Sequence, residues 1–242
     1  MLGLLYKDMR ANLKGILVML TVLIFLNGLM TVMLFVGDED GASAINGTFI
    51  MGFCSIMAVS SFMAIGATAL NIVQTDERKK WGYYITAVPG GIRRQVGAIY
   101  TFVFIAMLIT FTVVYGVNFI ARTVVDVVPD MLGITLALVF FGLIMRAIEL
   151  PCIIAFGSKV GSQVKGGLML LVILGIVVYL LFGDLSWIGS EYDFWDGLFN
   201  WIRDFKFTNL ALKLAAVGVP MYVISYFIST KLYLKGVERM EK

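Results

Sequence analysis

The sequence has no histidine and only two cysteines, Cys54 and Cys152, far apart and both inside apolar runs. Without imidazole or clustered thiols, neither a zinc site nor a disulfide framework can be assembled, and no metal is expected. The phosphate-cradling pattern G-x-x-x-x-G-K-[ST] is missing, and so is the nucleophile-elbow pattern G-x-S-x-G. The nearest run, GSKVGSQVKGG from Gly157, has the wrong spacing. Charge is scarce as well. Charged residues make up 14% of the 242, where a soluble domain has about a quarter, and 60% are apolar. The chain reads as an integral membrane protein with no catalytic set of its own.

Spanning a hydrocarbon core of ~30 Å takes about 20 apolar residues. Six runs meet or approach that length: residues 15–36, 47–73, 96–121, 131–156, 166–182 and 210–230. The expectation is an all-α, polytopic membrane protein with six transmembrane helices, residues 1–242 forming a single transmembrane domain. Within the runs only Arg146, Glu149 and Lys213 are charged, and Lys213 is close enough to an end to snorkel. With the N-terminus inside, the cytoplasmic segments carry fourteen Lys and Arg, and the outer loops carry Arg122, Arg203 and Lys206 alone. This asymmetry predicts a multi-pass plasma-membrane protein with both termini cytoplasmic. The net charge of +3 is therefore a poor reason to expect nucleic acid as a partner. No cleavable leader is expected, because run 15–36 is too long for an h-region and Asp38, Glu39 and Asp40 precede Ala42-Ser43-Ala44.

Ahead of the first run, Leu2, Leu5, Met9, Leu13 and Ile16 recur at three or four residues, with Lys7, Asp8, Arg10 and Lys14 off the stripe. That pattern predicts an interfacial elbow helix lying on the inner leaflet. In the second run, Ser60, Ala64 and Thr68 offer a small-residue face for close helix packing. Asn46-Gly47-Thr48 is a formal glycosylation sequon abutting the membrane. Arg146 and Glu149, three apart, share a helix face and are expected to pair, either as a structural ion pair or as a polar point on a substrate path. Pro151 just beyond them predicts a kink or a helix end. Between the fifth and sixth runs, Trp195, Leu198, Ile202 and Phe205 form a stripe with Asp193, Asp196, Asn200 and Arg203 off it. This predicts an amphipathic outer helix, acting as a gate or as an aromatic belt at the interface.

The most polar internal stretch is TDERKKWGYYITAVPGGIRRQV, residues 75–96. Asp76 can cap a helix and Glu77 suits its first turn. Trp81, Tyr84, Ile85 and Val88 then fall at i, i+3, i+4 and i+7, and Pro89-Gly90-Gly91 ends the helix before Arg93 and Arg94. These are the anchors of a helix made to lie in a groove.

The run from Asp76 to Tyr84, with Val88-Pro89 and Arg93-Arg94-Gln95-Val96 after it, resembles the loop between the second and third spans of small ABC-2 type permeases. Six spans, an N-terminal elbow and a long outer loop extend the resemblance over essentially the whole chain. It departs from the family pattern at Gly90-Gly91-Ile92, where relatives more often carry a tighter Pro-x-Ser/Thr-Arg turn. The resemblance implies that Asp76, Glu77, Trp81, Tyr84, Ile85, Val88, Pro89, Arg93 and Arg94 belong to a cytoplasmic coupling helix seated on a separate ATP-binding subunit. It further implies two such subunits holding ATP and Mg, no cofactor in this chain, and a homodimer lining an export pathway. In size and general character the chain is most similar to permeases of two-component exporters of amphipathic peptides, such as the phenol-soluble modulins. The competing reading is an ion- or proton-coupled secondary transporter or channel working through Arg146 and Glu149. Against it, no Gly/Pro-interrupted helix recurs in the two halves, and five of the six runs hold no acidic residue. An intramembrane enzyme lacks a catalytic set; a scaffold or sensor without transport is the remaining class.

Overall fold

A computed structural model describes residues 2–37, 58–60, 62, 68, 70–78, 81–124, 130–183 and 206–239. Within them the chain is helical and holds no strand, as a lipid environment requires of an open-chain backbone that must bond its own polar groups. The helices are α1 (Leu2–Gly37), α2 (Trp81–Thr86), α3 (Gly91–Val124), α4 (Leu132–Phe182) and α5 (Phe207–Arg239). Residues 70–78 are helical and lead to α2. Among the described residues, Gly91–Thr123, Leu132–Val164 and Phe207–Tyr233 are long and apolar enough to cross a bilayer. The stripe of the outer loop, Trp195 to Phe205, and the sequon at Asn46 lie outside the described residues.

The first half of α3 is the core. Val96, Ile99, Val103 and Met107, spaced as one helical face, are almost wholly buried, and Phe62, Ile72, Leu143 and Leu150 pack into the same cluster. Three contacts fix the direction of α4 beside it: Met131 near Asn118, Gly142 near Met107, and Ala147 joined through Ser225 to Tyr100. Numbers that rise along one helix while falling along the other mean an antiparallel pair. The same reasoning makes the first half of α4 and α5 parallel, since Gly133 meets Phe207, Phe140 and Ile144 meet Gly218, and Ala147 meets Ser225. At Gly218 a Cβ would stand 3.1 Å from the Phe140 carbonyl oxygen, so the small residue lets the two helices close in.

The sequence predicts a kink or helix end at Pro151 and a loop over 157–165. The structure corrects both. Pro151 is accommodated within α4, and the break lies at Gly157, whose φ of 84° and ψ of 169° belong to a region open essentially to glycine alone. Helix resumes at Ser158. A Cβ at Gly161 would lie 2.7 Å from the Ile153 Cα, whereas eight residues of continuous helix span ~12 Å. The chain therefore folds back at Gly157, and α4 is two helices meeting in a tight hairpin.

In α1 the elbow stripe and the first apolar run belong to one uninterrupted helix of 36 residues. The stripe does not form the packed face. Asp8 and Asn12 face the protein and are buried, with Leu5 and Ile16 half-buried, while Met9 and Leu13 of the stripe point outward beside the exposed Arg10 and Lys14.

The hairpin generates a test. Gly157→Ala must place a Cβ 3.1 Å from the Glu77 carboxylate and force an L-residue into that backbone region, at a cost of order 1–3 kcal/mol. It is expected to lower the melting temperature of the detergent-purified protein, whereas Gly175→Ala, with open space around it, is not. Equal melting temperatures for the two variants would remove the hairpin.

Candidate functional site

Two adjacent carboxylates, Asp76 and Glu77, organise the polar end of the bundle. Asp76 accepts hydrogen bonds from the Lys7 ammonium at 2.7 Å and from the Gln95 amide at 2.6 Å, which ties α1 and α3 to the helix of residues 70–78. Lys7 is also 3.2 Å from Asp8 and lies 4.9 Å above the Trp81 ring, a cation–π contact that brings α2 into the cluster. Glu77 turns the other way. It accepts the Ser158 backbone N–H at 2.7 Å and the Ser158 hydroxyl at 2.5 Å. An anionic cap thus sits on the N-terminus of the second helix of the hairpin, where the helix dipole favours negative charge.

The α2 stripe divides by exposure. Ile85 is buried and Trp81 half-buried, with its indole nitrogen enclosed and unpartnered among the described residues, while Tyr84 is 66% exposed and Val88 50%. Pro89 is exposed and begins a turn that needs two glycines. Gly90 adopts φ 68°, and a Cβ at Gly91 would stand 2.2 Å from the Ile85 carbonyl oxygen. The positive φ and that close approach are the physical reasons for glycine at both positions. Arg93 and Arg94 open α3 with exposed side chains that have no ion pair among the described residues.

Deeper in the bundle, Arg146 donates to Glu149 within α4, and both are nearly fully buried. A hydroxyl chain runs beside them. Ser225 donates to the Ala147 carbonyl at 2.6 Å, so its oxygen accepts from the Tyr100 hydroxyl, also at 2.6 Å, and Tyr100 in turn accepts from Ser229 at 2.7 Å. Tyr222 donates to the Tyr100 carbonyl at 2.8 Å. Four side chains on α3 and α5 and one carbonyl on α4 are thereby stitched together; Tyr226 completes the aromatic packing, 5.7 Å from the Tyr100 ring. Sequence reasoning missed this network, as it missed Lys7, Gln95 and Ser158. The available signal was Tyr222, Ser225 and Ser229 at i, i+3 and i+7, one polar line on an otherwise apolar helix.

The Asp8 carboxyl is pushed up to about 6, chiefly by burial, with the nearby Asp76 charge adding to the rise and Lys7 opposing it. Between its ordinary value and about pH 6 the folded protein therefore binds more protons at Asp8 than the unfolded chain, so this group adds stability as pH falls through 6 and removes it as pH rises. Relative to wild type, Asp8→Asn is expected to be at least as stable at neutral pH and to lose the acid-side gain. A difference in melting temperature that does not change across that interval would refute the assignment. The deeper pair gives a second expectation. Glu149→Gln leaves Arg146 buried without a counter-charge, at a cost on the order of 3–5 kcal/mol, while Arg146→Met combined with Glu149→Leu is close to neutral. Thermal denaturation should rank the single variant below the double, and the reverse order would show that the two charges act independently.

The chain was compared with known families and proteins. A model of the ABC-2 family transporter proteins matches residues 3–234, nearly the full length. No curated protein and no solved structure gives a significant match. The matched family consists of the membrane components of ABC transporters, which work with an ATP-binding subunit and sit in the plasma membrane as multi-pass chains. Its apolar spans and the match across residues 3–234 establish that this chain belongs to the ABC-2 transporter family.

Proposed function

We propose that this chain is the permease subunit of an ATP-driven exporter, working as two copies with two ATP-binding subunits that hold ATP and Mg. Each copy contributes six spans, has both termini in the cytoplasm, and presents α2 as the coupling helix. The substrate class is hydrophobic or amphipathic peptide, and the outer stripe of Trp195, Leu198, Ile202 and Phe205 gates the far side. One observation carries the reading: Trp81 of α2 lies against the Lys7 that Asp76 holds, and the bonds of Asp76 and Glu77 reach α1, α3 and the α4 hairpin, so a push on α2 is passed to those three elements. Arg146 and Glu149 serve this machine as structure. Their near-complete burial against each other argues against an ion path, the alternative that a secondary transporter or channel requires.

The split of the α2 stripe sharpens the docking surface. Trp81 and Ile85 hold α2 to its own chain, which leaves Tyr84, Val88 and Pro89 for the partner. Truncating a buried interface tyrosine commonly costs ~2 kcal/mol or more, a change of about thirtyfold in affinity. Tyr84→Ala is therefore expected to reduce recovery of the co-expressed ATP-binding subunit while leaving the melting temperature of the permease unchanged. Trp81→Ala should lower that melting temperature, because it removes the surface beneath Lys7. Full recovery of the partner by Tyr84→Ala would defeat the coupling-helix reading.

A further inference from the structure

A groove of about 580 Å³ runs between α3 and α5, floored by Leu143 of α4. This is the volume of a small-molecule site. On α3 it is lined by Gly97, Tyr100, Thr101 and Phe104, and on α5 by Val219, Val223 and the two tyrosines described above. The wall is oily because its tyrosines are already engaged: the Tyr100 hydroxyl bonds Ser225 and Ser229, and that of Tyr222 bonds the Tyr100 carbonyl. Charge enters at one end only, where Arg93 and Arg94 line the mouth. From Arg94 to Phe104 is ten residues of helix, ~15 Å, which is half the ~30 Å hydrocarbon core and so the depth of one leaflet.

We propose that this groove binds an anionic phospholipid, its phosphate between Arg93 and Arg94 and one acyl chain along the α3–α5 cleft towards Phe104. The charges decide among occupants. No acidic residue lines the groove, and neither arginine has an ion pair among the described residues. Closure against a second copy of the chain at this face would bring cationic mouths under cover without counter-charge, which is costly. A cationic amphipathic peptide would be repelled. An anionic lipid supplies both what the guanidiniums lack and what the apolar wall accepts, and arginine is suited to hold phosphate through paired N–H donors.

The test is native mass spectrometry of the detergent-purified full chain, titrated with phosphatidylglycerol or phosphatidylcholine of identical acyl chains, with glycerol phosphate as the soluble competitor. Wild type is expected to retain phosphatidylglycerol in preference. Arg93→Gln with Arg94→Gln should weaken that preference by about fivefold for each arginine, the equivalent of ~1 kcal/mol per charge near an anionic headgroup. Val223→Trp keeps both arginines but fills the cleft from an exposed position, and should lose lipids of both kinds while melting like wild type. The proposal is overturned if the double variant keeps the wild-type preference, or if Val223→Trp retains phosphatidylglycerol undiminished. Glycerol phosphate displacing the lipid at equal concentration would overturn it as well, leaving a phosphate site alone. So would a dimer that Val223→Trp dissociates without any change in lipid retention, which would make the groove a contact between copies.

Discussion

Inside a bilayer a polar side chain cannot fall back on water, so each one must find its partner within the protein or be carried at a cost of several kcal/mol. The bundle is arranged around that constraint. Tyr100 stands in the first third of α3, and its hydroxyl and carbonyl between them engage Ser225, Ser229 and Tyr222 of α5, while Ser225 goes on to the Ala147 carbonyl of α4. Apolar packing alone would leave these three helices free to slide, because lipid is as oily as their faces. The hydroxyl chain sets their register, and with it the shape of the groove that the same tyrosines line.

At the start of α1, ahead of the apolar run, polar residues divide between the two faces, with Arg10 and Lys14 exposed. Asp8 and Asn12 are covered, Asn12 bonding back to the Asp8 carbonyl at 3.0 Å, and Met9 and Leu13 are given to the outside. The arrangement leaves one Asp8 oxygen without a partner among the described residues and two carboxylates sharing Lys7; burial is the chief cause of the raised Asp8 pKa, with the Asp76 charge adding to it and Lys7 opposing. Stability at this end is therefore held below what full pairing would give, close to the element proposed to receive the push of the ATP-binding subunit.

The helical character and three apolar helices long enough to cross a bilayer were legible in the sequence. Runs 96–121 and 210–230 lie within α3 and α5, run 131–156 matches the first helix of α4 to within a residue at its start, and run 166–182 lies within the second. Arg146 and Glu149 meet, as a spacing of three on one helix brings about. The joints were not legible. Proline is the stronger textual signal for a break, yet within lipid-facing helices its missing N–H can be tolerated, and it was Gly157 that could adopt a positive φ under Glu77. Which face of α1 or α2 turns inward also escaped the sequence, since each stripe is split, Leu5 and Ile85 turning in while Leu13, Tyr84 and Val88 stay exposed. The contacts of Asp76 and Glu77 join residues from 19 to 81 positions apart, and no local pattern encodes such distances.

Adjacent residues on a helix do not face one another; they diverge by about 100°. For Asp76 and Glu77 this geometry has a mechanical consequence. One carboxylate holds the beginnings of α1 and α3, and its neighbour holds the N-terminus of the returning helix of the α4 hairpin. A small rotation of residues 70–78 about their axis cannot satisfy one set of bonds without straining the other. On the proposed reading, displacement of α2 by the ATP-binding subunit is such a rotation, and relief of the strain requires α1 or the hairpin to move with it. Both carry exposed apolar side chains away from the polar end, Leu17, Val18 and Phe25 on α1 and Leu170, Leu171 and Leu181 on the returning helix of the hairpin. On the same reading, motion generated at the polar end would be taken up by α1 or by the returning helix of α4, while the Tyr100 network keeps α3, α5 and the first helix of α4 as the fixed frame.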